Sequence, residues 1–270
     1  MIGTLRVSLR LCLLAALTGV TVMRLRVARA LRGPRPHSDT RLGRAWARRM
    51  LRLLGVELEV HGQPPAETAL LLANHRSYVD IAALLAQIPC AFLAKHEISE
   101  WPLFGTAARY QHTVFVKREC KESRRASRGA AVQVLRQGLC FAAFPEGTTT
   151  RGPGTLPFFR GLFEVAQEHA VPVVPVAIEY GDRADAWVDD ETFLGHFLGC
   201  FRKRRIRVAI AFGPVLRPEA PDALRARTES WIRERLETLA PSCGERSAPA
   251  RLEPPFAATA PRIPSGAFGS

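Results

Sequence analysis

Short apolar segments recur along the chain from residue 56 onward, and polar or helical stretches separate them. Segments of this length predict β-strands, and those that are apolar on both faces predict a sheet covered by helices on each side. Helical spacing is seen in 121–137, which Gly138 closes, and in 222–239. The alternation predicts an α/β fold with a mostly parallel central sheet flanked by helices. The seven apolar segments read VELEVHG, ALLLAN, CAFLAK, TVFVK, LCFAAF, VPVVPVAIEY and IRVAIAFG.

The N-terminal apolar run, Leu11–Met23, predicts the first of two membrane-associating helices. Arginines lie on both sides of the run, and its 13 residues are fewer than the ~20 that a bilayer span requires. A cleaved signal peptide is the alternative, because Ala28-Arg29-Ala30 imitates a cleavage site. The flanking arginines and the basic helix that continues beyond the run favour a retained anchor that enters or dips into the membrane.

A second basic segment, residues 40–54, carries apolar residues at helical spacing with five arginines among them, and Gly55 is the expected stop. This pattern predicts an amphipathic helix that lies on anionic headgroups. The alternative is an ordinary core-packing helix whose basic face is solvated.

These features divide the chain into three parts. Residues 1–55 form the N-terminal membrane-anchoring helices, and residues 56–240 form the α/β domain. Residues 241–270 are rich in Pro, Ala, Ser and Gly without apolar periodicity, so they are expected to be a disordered tail.

The formal net charge of +13 requires an anionic partner, either a membrane, a ligand or nucleic acid. The basic runs contain few aromatic residues that could stack on bases, so no nucleic-acid partner is expected. The six cysteines form no C-x-x-C pair, and several lie in apolar runs. They are expected to be reduced thiols, and no metal site is expected.

His75 and Asp80 are the first candidates for chemistry. His75 follows the apolar strand at 69–73, and Asp80 opens the next helical run. A carboxylate five residues on can fold back to hold one nitrogen of the imidazole, which leaves the other nitrogen as a general base. The alternative is that Asp80 only caps the helix and that His75 is an ordinary loop residue. The position favours function, because open α/β sheets bind ligands beyond the carboxyl ends of their strands.

Two further strands end in candidate binding residues. Glu146, Gly147 and Thr148 follow the strand at 139–144, in a turn whose N–H and hydroxyl groups can cradle an oxyanion or phosphate. Lys117 ends the strand at 113–117 and Arg118 follows it, where a guanidinium can bind phosphate through two parallel hydrogen bonds.

The motifs N-H-x-x-x-x-D, V-F-V-K-R, F-P-E-G-T and V-P-V-V-P-V occur in that order and resemble the four blocks of the glycerolipid acyltransferase family. The resemblance extends over residues 56–215. It implies that His75 is the general base and Asp80 its partner. It also implies that the acceptor's phosphate or headgroup site is lined by Arg118, Glu146, Gly147 and Thr148, with Pro175 in the region of the fourth block.

The chain departs from the family pattern in the second and third blocks, which are expected to bind the headgroup. The third block usually continues with Arg-Ser, whereas here Thr149-Thr150 precede Arg151, and a later element places Arg160 before Gly161. Arg151 and Arg160 are therefore added to the expected substrate-binding residues. The second block usually opens with Gly, and Gln111-His112-Thr113 stands there instead. The stretch F-P-E-G-T-T-T with P-F-F-R-G is similar to the branch that acylates lyso-ornithine lipids.

The resemblance implies a membrane-associated O-acyltransferase that uses acyl-CoA or acyl carrier protein as co-substrate and needs no cofactor. The expected acceptor is lysophosphatidic acid, with lyso-ornithine lipid as the alternative. The absence of a Ser or Cys nucleophile beside the pair predicts direct transfer without an acyl-enzyme. The distribution of basic residues predicts a catalytic domain on the cytoplasmic face of the inner membrane. A catalytically inactive, basic membrane-binding protein is the alternative from another class.

Overall fold

A computed structural model describes residues 2–188 and 191–244 of the chain. All seven apolar segments form strands of one sheet, as predicted. Five of them end at the edge where the candidate residues lie, so the strand bounds locate the site. The strands are β1 (Val56–His61), β2 (Leu70–Ala73), β3 (Cys90–Lys95), β4 (Val114–Val116), β5 (Cys140–Ala143), β6 (Val173–Tyr180) and β7 (Ile206–Phe212).

The strand order in the sheet is β1-β7-β6-β2-β5-β3-β4. Every neighbouring pair is parallel except β6 and β7. Strands β2, β5 and β6 are buried along their whole length, which explains why they are apolar on both faces. Pro175 lies within β6, opposite Leu72 of β2.

Helices cover both faces of the sheet and create two apolar cores, which confirms the predicted α/β class. One core contains residues of α1, α2, α3 and α7, and the other contains residues of α5, α6 and α8. The helices are α1 (Ile2–Arg32), α2 (Pro36–Leu54), α3 (Val79–Gln87), α4 (Phe104–Tyr110), α5 (Lys121–Arg136), α6 (Gly161–Glu168), α7 (Phe193–Cys200) and α8 (Pro221–Gly244).

Helix α1 is much longer than the apolar run that predicts it, and it lies along the domain. In the part of the chain that the structure describes, it is the one helix long and apolar enough to cross a membrane. One face is buried in the domain through Val7, Leu14 and Leu25. The opposite face exposes a stripe of large apolar side chains, consisting of Leu5, Leu9, Leu13, Val20, Met23, Val27 and Leu31.

Arginines tie both halves of α1 to the rest of the protein. Arg10 donates hydrogen bonds to the carbonyls of Phe201, Lys203 and Arg204 at 2.7–3.0 Å, in the segment between α7 and β7. Near the other end, Arg29 forms an ion pair of 2.7 Å with the buried carboxylate of Asp39. The helix is therefore held to the domain along its length.

Helix α2 ends at Gly55, which adopts the left-handed conformation that stops a helix, with φ of 75°. Its apolar face, including Leu54, is buried in the core. Arg44 and Arg48 both donate to the carbonyl of Ala86 near the end of α3, at 3.1 and 2.9 Å. Helix α2 thus packs as a core helix with an outer basic face, and contact of that face with headgroups stays a prediction. The outer face consists of Arg41, Arg44, Arg48, Arg49 and Arg52.

The last helix, α8, begins one residue before the predicted stretch and continues to Gly244. Residues 241–244, expected to belong to the tail, therefore continue the helix, because adding a residue to a formed helix requires no apolar residue of its own. The rest of the expected tail, 245–270, lies outside the described residues.

Candidate active site

The carboxyl ends of parallel strands meet at one edge of the sheet, and the candidate residues lie along that edge. His75 follows β2 and Glu146 follows β5, and these two strands are direct neighbours. Arg118 follows β4, three strand positions from β2. At the usual spacing between strands, the ends of β2 and β4 are about 14 Å apart. His75 and Glu146 are therefore brought together, and Arg118 lies at the far end of the same edge.

His75 and Asp80 form the pair that their spacing predicts. The Nδ1 atom of His75 lies 2.8 Å from Oδ2 of Asp80. The same carboxylate oxygen accepts hydrogen bonds from the backbone N–H groups of Arg76, at 2.6 Å, and Ser77, at 2.9 Å. Asp80 thus combines the two alternatives, because it organises the turn before α3 and also orients the imidazole.

Burial differs sharply within this pair. The side chain of Asp80 is fully buried, whereas that of His75 is 17% exposed. One face of the imidazole is covered by the ring of Phe144, which lies parallel to it at a centroid distance of 3.9 Å. The imidazole is consequently the part of the pair that a substrate can reach.

Glu146 holds the loop after β5 in place. Its Oε1 atom accepts the backbone N–H of His75 and its Oε2 atom accepts that of Leu156, each at 2.8 Å. Burial raises the pKa of the Glu146 carboxyl, and these two backbone donors oppose the rise. The carboxylate is engaged with the protein and only 4% of the residue is exposed. A direct contact of Glu146 with a headgroup stays a prediction.

Gly147 and Thr148 form the exposed tip of the same turn. Gly147 has a φ of 73°, in the left-handed region that favours glycine. A Cβ atom there would lie 2.7 Å from the ring of Phe159, so the close approach also requires glycine. The side chain of Thr148 is exposed at this edge of the sheet.

The three predicted anion-binding arginines have different surroundings. Arg118 is exposed at the end of β4. Arg151 forms an ion pair of 2.7 Å with Glu191. Arg160 contacts Glu164 of α6 at 3.5 Å and Asp222 of α8 at 3.7 Å. The guanidinium of Arg160 therefore lies against the α6 and α8 layer, and its contact with a substrate stays a prediction.

Arg76 has a role that the sequence does not predict. Its side chain is fully buried and pairs with Glu179 of β6 at 3.0 Å. It also donates to the carbonyls of Thr150 and Gly154, at 3.3 and 3.0 Å, and so ties the third-block loop to the histidine turn. Glu179 is the feature of the sequence that could have indicated a buried cation, since a carboxylate inside an otherwise apolar strand needs a buried partner.

Asn74 and Tyr180 are two more residues for which the sequence predicts no role. The amide side chain of Asn74 bonds both the N–H and the carbonyl of Ile178, each at 2.8 Å. The hydroxyl of Tyr180 donates to Oδ1 of Asp80 at 2.6 Å. Strand β6 therefore holds both Asn74, directly before His75, and Asp80, five residues after it.

Known proteins are similar to this chain. The Acyltransferase family model matches residues 57–179. A lyso-ornithine lipid O-acyltransferase of Rhizobium meliloti is 33% identical over 84% of this chain and 85% of its own length. A second one, from Pseudomonas aeruginosa, is 37% identical over 63% of this chain and 67% of its own length.

A phosphate-headgroup enzyme and a solved structure are also similar to this chain. The 1-acyl-sn-glycerol-3-phosphate acyltransferase of Neisseria meningitidis is 36% identical over 64% of the chain and 68% of its own length. The crystal structure of the 1-acyl-sn-glycerophosphate acyltransferase of Thermotoga maritima shares the fold, with a TM-score of 0.63 at 22% identity over 86% of this chain and 97% of the other. The chain therefore belongs to the acyltransferase family that includes lyso-ornithine lipid and 1-acyl-sn-glycerol-3-phosphate O-acyltransferases.

Proposed function

We propose that this protein transfers a fatty acyl chain from a thioester to the hydroxyl of a lysolipid, with His75 as the general base. The observation that carries the proposal is the 2.8 Å contact between Nδ1 of His75 and the buried carboxylate of Asp80. This contact fixes one ring nitrogen and leaves Nε2 free to accept a proton from the acceptor hydroxyl.

In the proposed reaction, Nε2 of His75 takes the hydroxyl proton as the acceptor oxygen attacks the thioester carbonyl. The carbon–oxygen ester bond forms, the carbon–sulfur bond breaks, and the thiolate leaves with the proton that the imidazolium returns. Asp80 stabilises the imidazolium between these two steps. The proposed reaction needs only these two side chains, the acyl thioester and the acceptor hydroxyl. No cofactor is therefore included in it.

The proposed transfer is direct. Ser77, the hydroxyl nearest to His75 in the sequence, is fully buried, so it cannot present a nucleophile to a substrate in the cleft. An acyl-enzyme on Ser77 is therefore not part of the proposal.

We propose that anions bind at the β4 end of the sheet edge, away from His75. Lys117 and Arg118 are both exposed there, and they precede the basic start of α5. A guanidinium in this position suits the phosphates of acyl-CoA, of a carrier-bound phosphopantetheine or of the acceptor. Gly147 and Thr148 lie between this region and His75, and they are proposed to contact the headgroup.

The acceptor that we favour is lyso-ornithine lipid. A relative with that name is similar to 84% of this chain. The Arg151–Glu191 pair also favours it, since a zwitterionic headgroup offers a carboxylate to the arginine and an ammonium to the glutamate. Lysophosphatidic acid is the second candidate, supported by the similarity to the Neisseria enzyme.

Membrane association is proposed to occur through the apolar stripe of α1 and the basic face of α2. A helix of 31 residues is about 46 Å long, enough to cross a hydrocarbon core of about 30 Å. Arg10 and Arg29, however, tie both halves of α1 to the same domain. We therefore propose that α1 lies in one leaflet, on the cytoplasmic side, with its ends on the same face of the bilayer.

An acceptor screen with purified protein tests the function. Lyso-ornithine lipid and lysophosphatidic acid are supplied separately with an acyl-CoA or an acyl carrier protein, and His75→Ala serves as the control. We expect acyl transfer to lyso-ornithine lipid and its loss in the variant. Activity on neither acceptor, or full activity of His75→Ala, would contradict the proposal.

The membrane arrangement has its own test. A protease-cleavable tag is placed before residue 1, and the protein is examined in sealed vesicles of both orientations. We expect cleavage only in vesicles that expose the catalytic domain. Cleavage only from the opposite side would show that α1 crosses the bilayer.

A further inference from the structure

Tyr180 lies at the carboxyl end of β6, with only 4% of the residue exposed. Its hydroxyl donates to Oδ1 of Asp80 at 2.6 Å, across 100 residues of sequence. The other carboxylate oxygen, Oδ2, is the one that holds Nδ1 of His75. Tyr180, Asp80 and His75 therefore form one continuous hydrogen-bonded chain that leads from the sheet to the cleft.

The donors to Asp80 come from two different parts of the fold. The backbone N–H groups of Arg76 and Ser77 belong to the same turn as His75, and they move with it. The hydroxyl of Tyr180 comes from a strand that is paired on both sides, with β2 and with β7. In the described part of the chain, the Tyr180 contact is thus the one that fixes the carboxylate to an element outside the turn.

The hydroxyl of Tyr180 is protonated at neutral pH, since the pKa of a tyrosine is ordinarily about 10. Burial raises the pKa of Tyr180 well above its ordinary value, and the neighbouring charge of Asp80 raises it further. A phenol in this environment keeps its proton and donates it to the carboxylate.

We propose that Tyr180 is a positioning residue for the acyl transfer, because its hydroxyl holds the Asp80 carboxylate in the orientation that fixes the imidazole of His75. The inference rests on the proposed role of His75 as the general base. A carboxylate held only by its own turn can rotate about the Cβ–Cγ bond, and the imidazole then loses its fixed tautomer and direction.

Other charged and titratable groups surround the pair. From the loop after β5, Glu146 accepts the backbone N–H of His75. From β6 and the turn itself, Glu179 and Arg76 form a buried ion pair. The hydroxyl of Tyr78 contacts Nδ1 of His196, 3.2 Å away, rather than Asp80. Since these groups are unchanged in a Tyr180 variant, a shift in the pH profile reports the lost hydroxyl.

Tyr180→Phe removes only the hydroxyl and tests the proposal. The loss of a hydrogen bond to a charged group is expected to lower kcat roughly ten- to hundredfold, with KM nearly unchanged. The acid limb of the kcat/KM profile is expected to move to higher pH. The carboxylate that has lost its donor carries more charge, so it holds the imidazolium proton more strongly.

Tyr78→Phe is the matched control, since it removes a tyrosine hydroxyl from the same region without touching Asp80. Its acid limb is expected at the wild-type position. Incorporation of 3-fluorotyrosine at position 180 keeps the ring and makes the hydroxyl a stronger donor, so it should move the acid limb to lower pH. Because this substitution keeps the side chain's shape, it also tests the proposal if Tyr180→Phe does not fold.

A double-mutant cycle with Asp80→Ala shows whether Tyr180 acts through Asp80. The Tyr180→Phe change is expected to have little further effect on kcat once Asp80 is absent, whereas additive losses would overturn the proposal. Wild-type kcat and pH profile in Tyr180→Phe, beside an inactive His75→Ala, would overturn this inference alone. Full activity of His75→Ala would instead contradict the proposed function.

Discussion

The ring of Phe144 lies parallel to the imidazole of His75, with 3.9 Å between the ring centroids and 10° between the ring planes. Phe144 directly follows β5, and His75 follows the neighbouring strand β2 with one residue, Asn74, between them. The stack covers one face of the imidazole and fixes the plane in which its nitrogens point. An aromatic pair of this kind contributes roughly 0.5–1.5 kcal/mol beyond the area that it buries.

Replacement of Phe144 is therefore expected to affect the rate rather than substrate binding. Phe144→Leu keeps an apolar neighbour and removes the flat ring, so kcat should fall roughly two- to tenfold at nearly unchanged KM. Phe144→Tyr keeps the stack and should retain most of the activity. Steady-state kinetics of both variants check this, and equal losses in the two would contradict a role for stacking.

Gly147 and Gly154 make a matched pair for the turn after β5. Both have φ near 75°, but a Cβ at Gly147 would meet Phe159 at 2.7 Å, whereas a Cβ at Gly154 would meet nothing within 4 Å. Each alanine should cost about 1–2 kcal/mol for the left-handed conformation. Gly147→Ala should lower the melting temperature further, and Phe159→Ala in the same protein should reverse the extra loss. Equal melting temperatures for the two alanine variants would exclude the steric effect.

The buried ion pair between Arg76 and Glu179 predicts a large stability effect. Arg76→Met removes the guanidinium that pairs with the buried Glu179 carboxylate, and the expected loss is about 3–5 kcal/mol in the free energy of unfolding. Addition of Glu179→Gln removes the charge of that carboxylate and should restore part of the loss. Urea denaturation of the single and double variants measures both effects. A double variant that is less stable than Arg76→Met would contradict the interpretation.

The buried carboxyl of Glu146 predicts a pH dependence of stability. Burial raises its pKa above the ordinary value of 4.5, so the folded protein holds this proton to higher pH than the unfolded chain does. The resulting stabilisation is complete below about pH 4.5 and is lost as the pH rises through the folded-state pKa.

Glu146→Gln removes this titration. The melting temperature of the wild type, measured relative to that of the variant, should therefore decrease as the pH rises above about 4.5. The comparison is made in one buffer series for both proteins. A relative melting temperature that rises with pH would show that the backbone donors outweigh burial.

The ion pair between Arg151 and Glu191 predicts a change in acceptor preference. Glu191→Gln removes the anion that pairs with Arg151 at 2.7 Å and would meet the ammonium of a zwitterionic headgroup. The variant should lose activity on lyso-ornithine lipid and gain relative activity on lysophosphatidic acid. The ratio of kcat/KM for the two acceptors measures this effect, and an unchanged ratio would remove Glu191 from the headgroup site.

The strands and the His75–Asp80 pair could be predicted because they depend on residues that are close in sequence. Apolar segments mark each strand, and five residues separate the base from its carboxylate. The contacts of Arg76 and Tyr180 could not be predicted in the same way. Their partners are 103 and 100 residues away, and they meet only because β6 lies beside β2 in the sheet.

Charge alone also does not show which arginines have acidic neighbours. Arg151 and Arg160 are both predicted for the headgroup site, and each lies beside a carboxylate in the fold. The sequence shows how many cations a segment carries, but the pairing of those cations depends on loops and helices that come together only on folding. Helix α2 shows the same principle, because two of its arginines are used to cap α3.

The side chain of Asn74 has a consequence for the motions of the protein. The backbone pairing of β2 with β6 ends at Ala73. The side chain of Asn74 then bonds both polar backbone groups of Ile178, so hydrogen bonding between the two strands extends one residue further. Fraying of the strand end therefore requires the loss of two buried hydrogen bonds. The amide proton of Ile178 should exchange with solvent as slowly as those of the core strands, and the imidazole next in sequence should sample few orientations between turnovers.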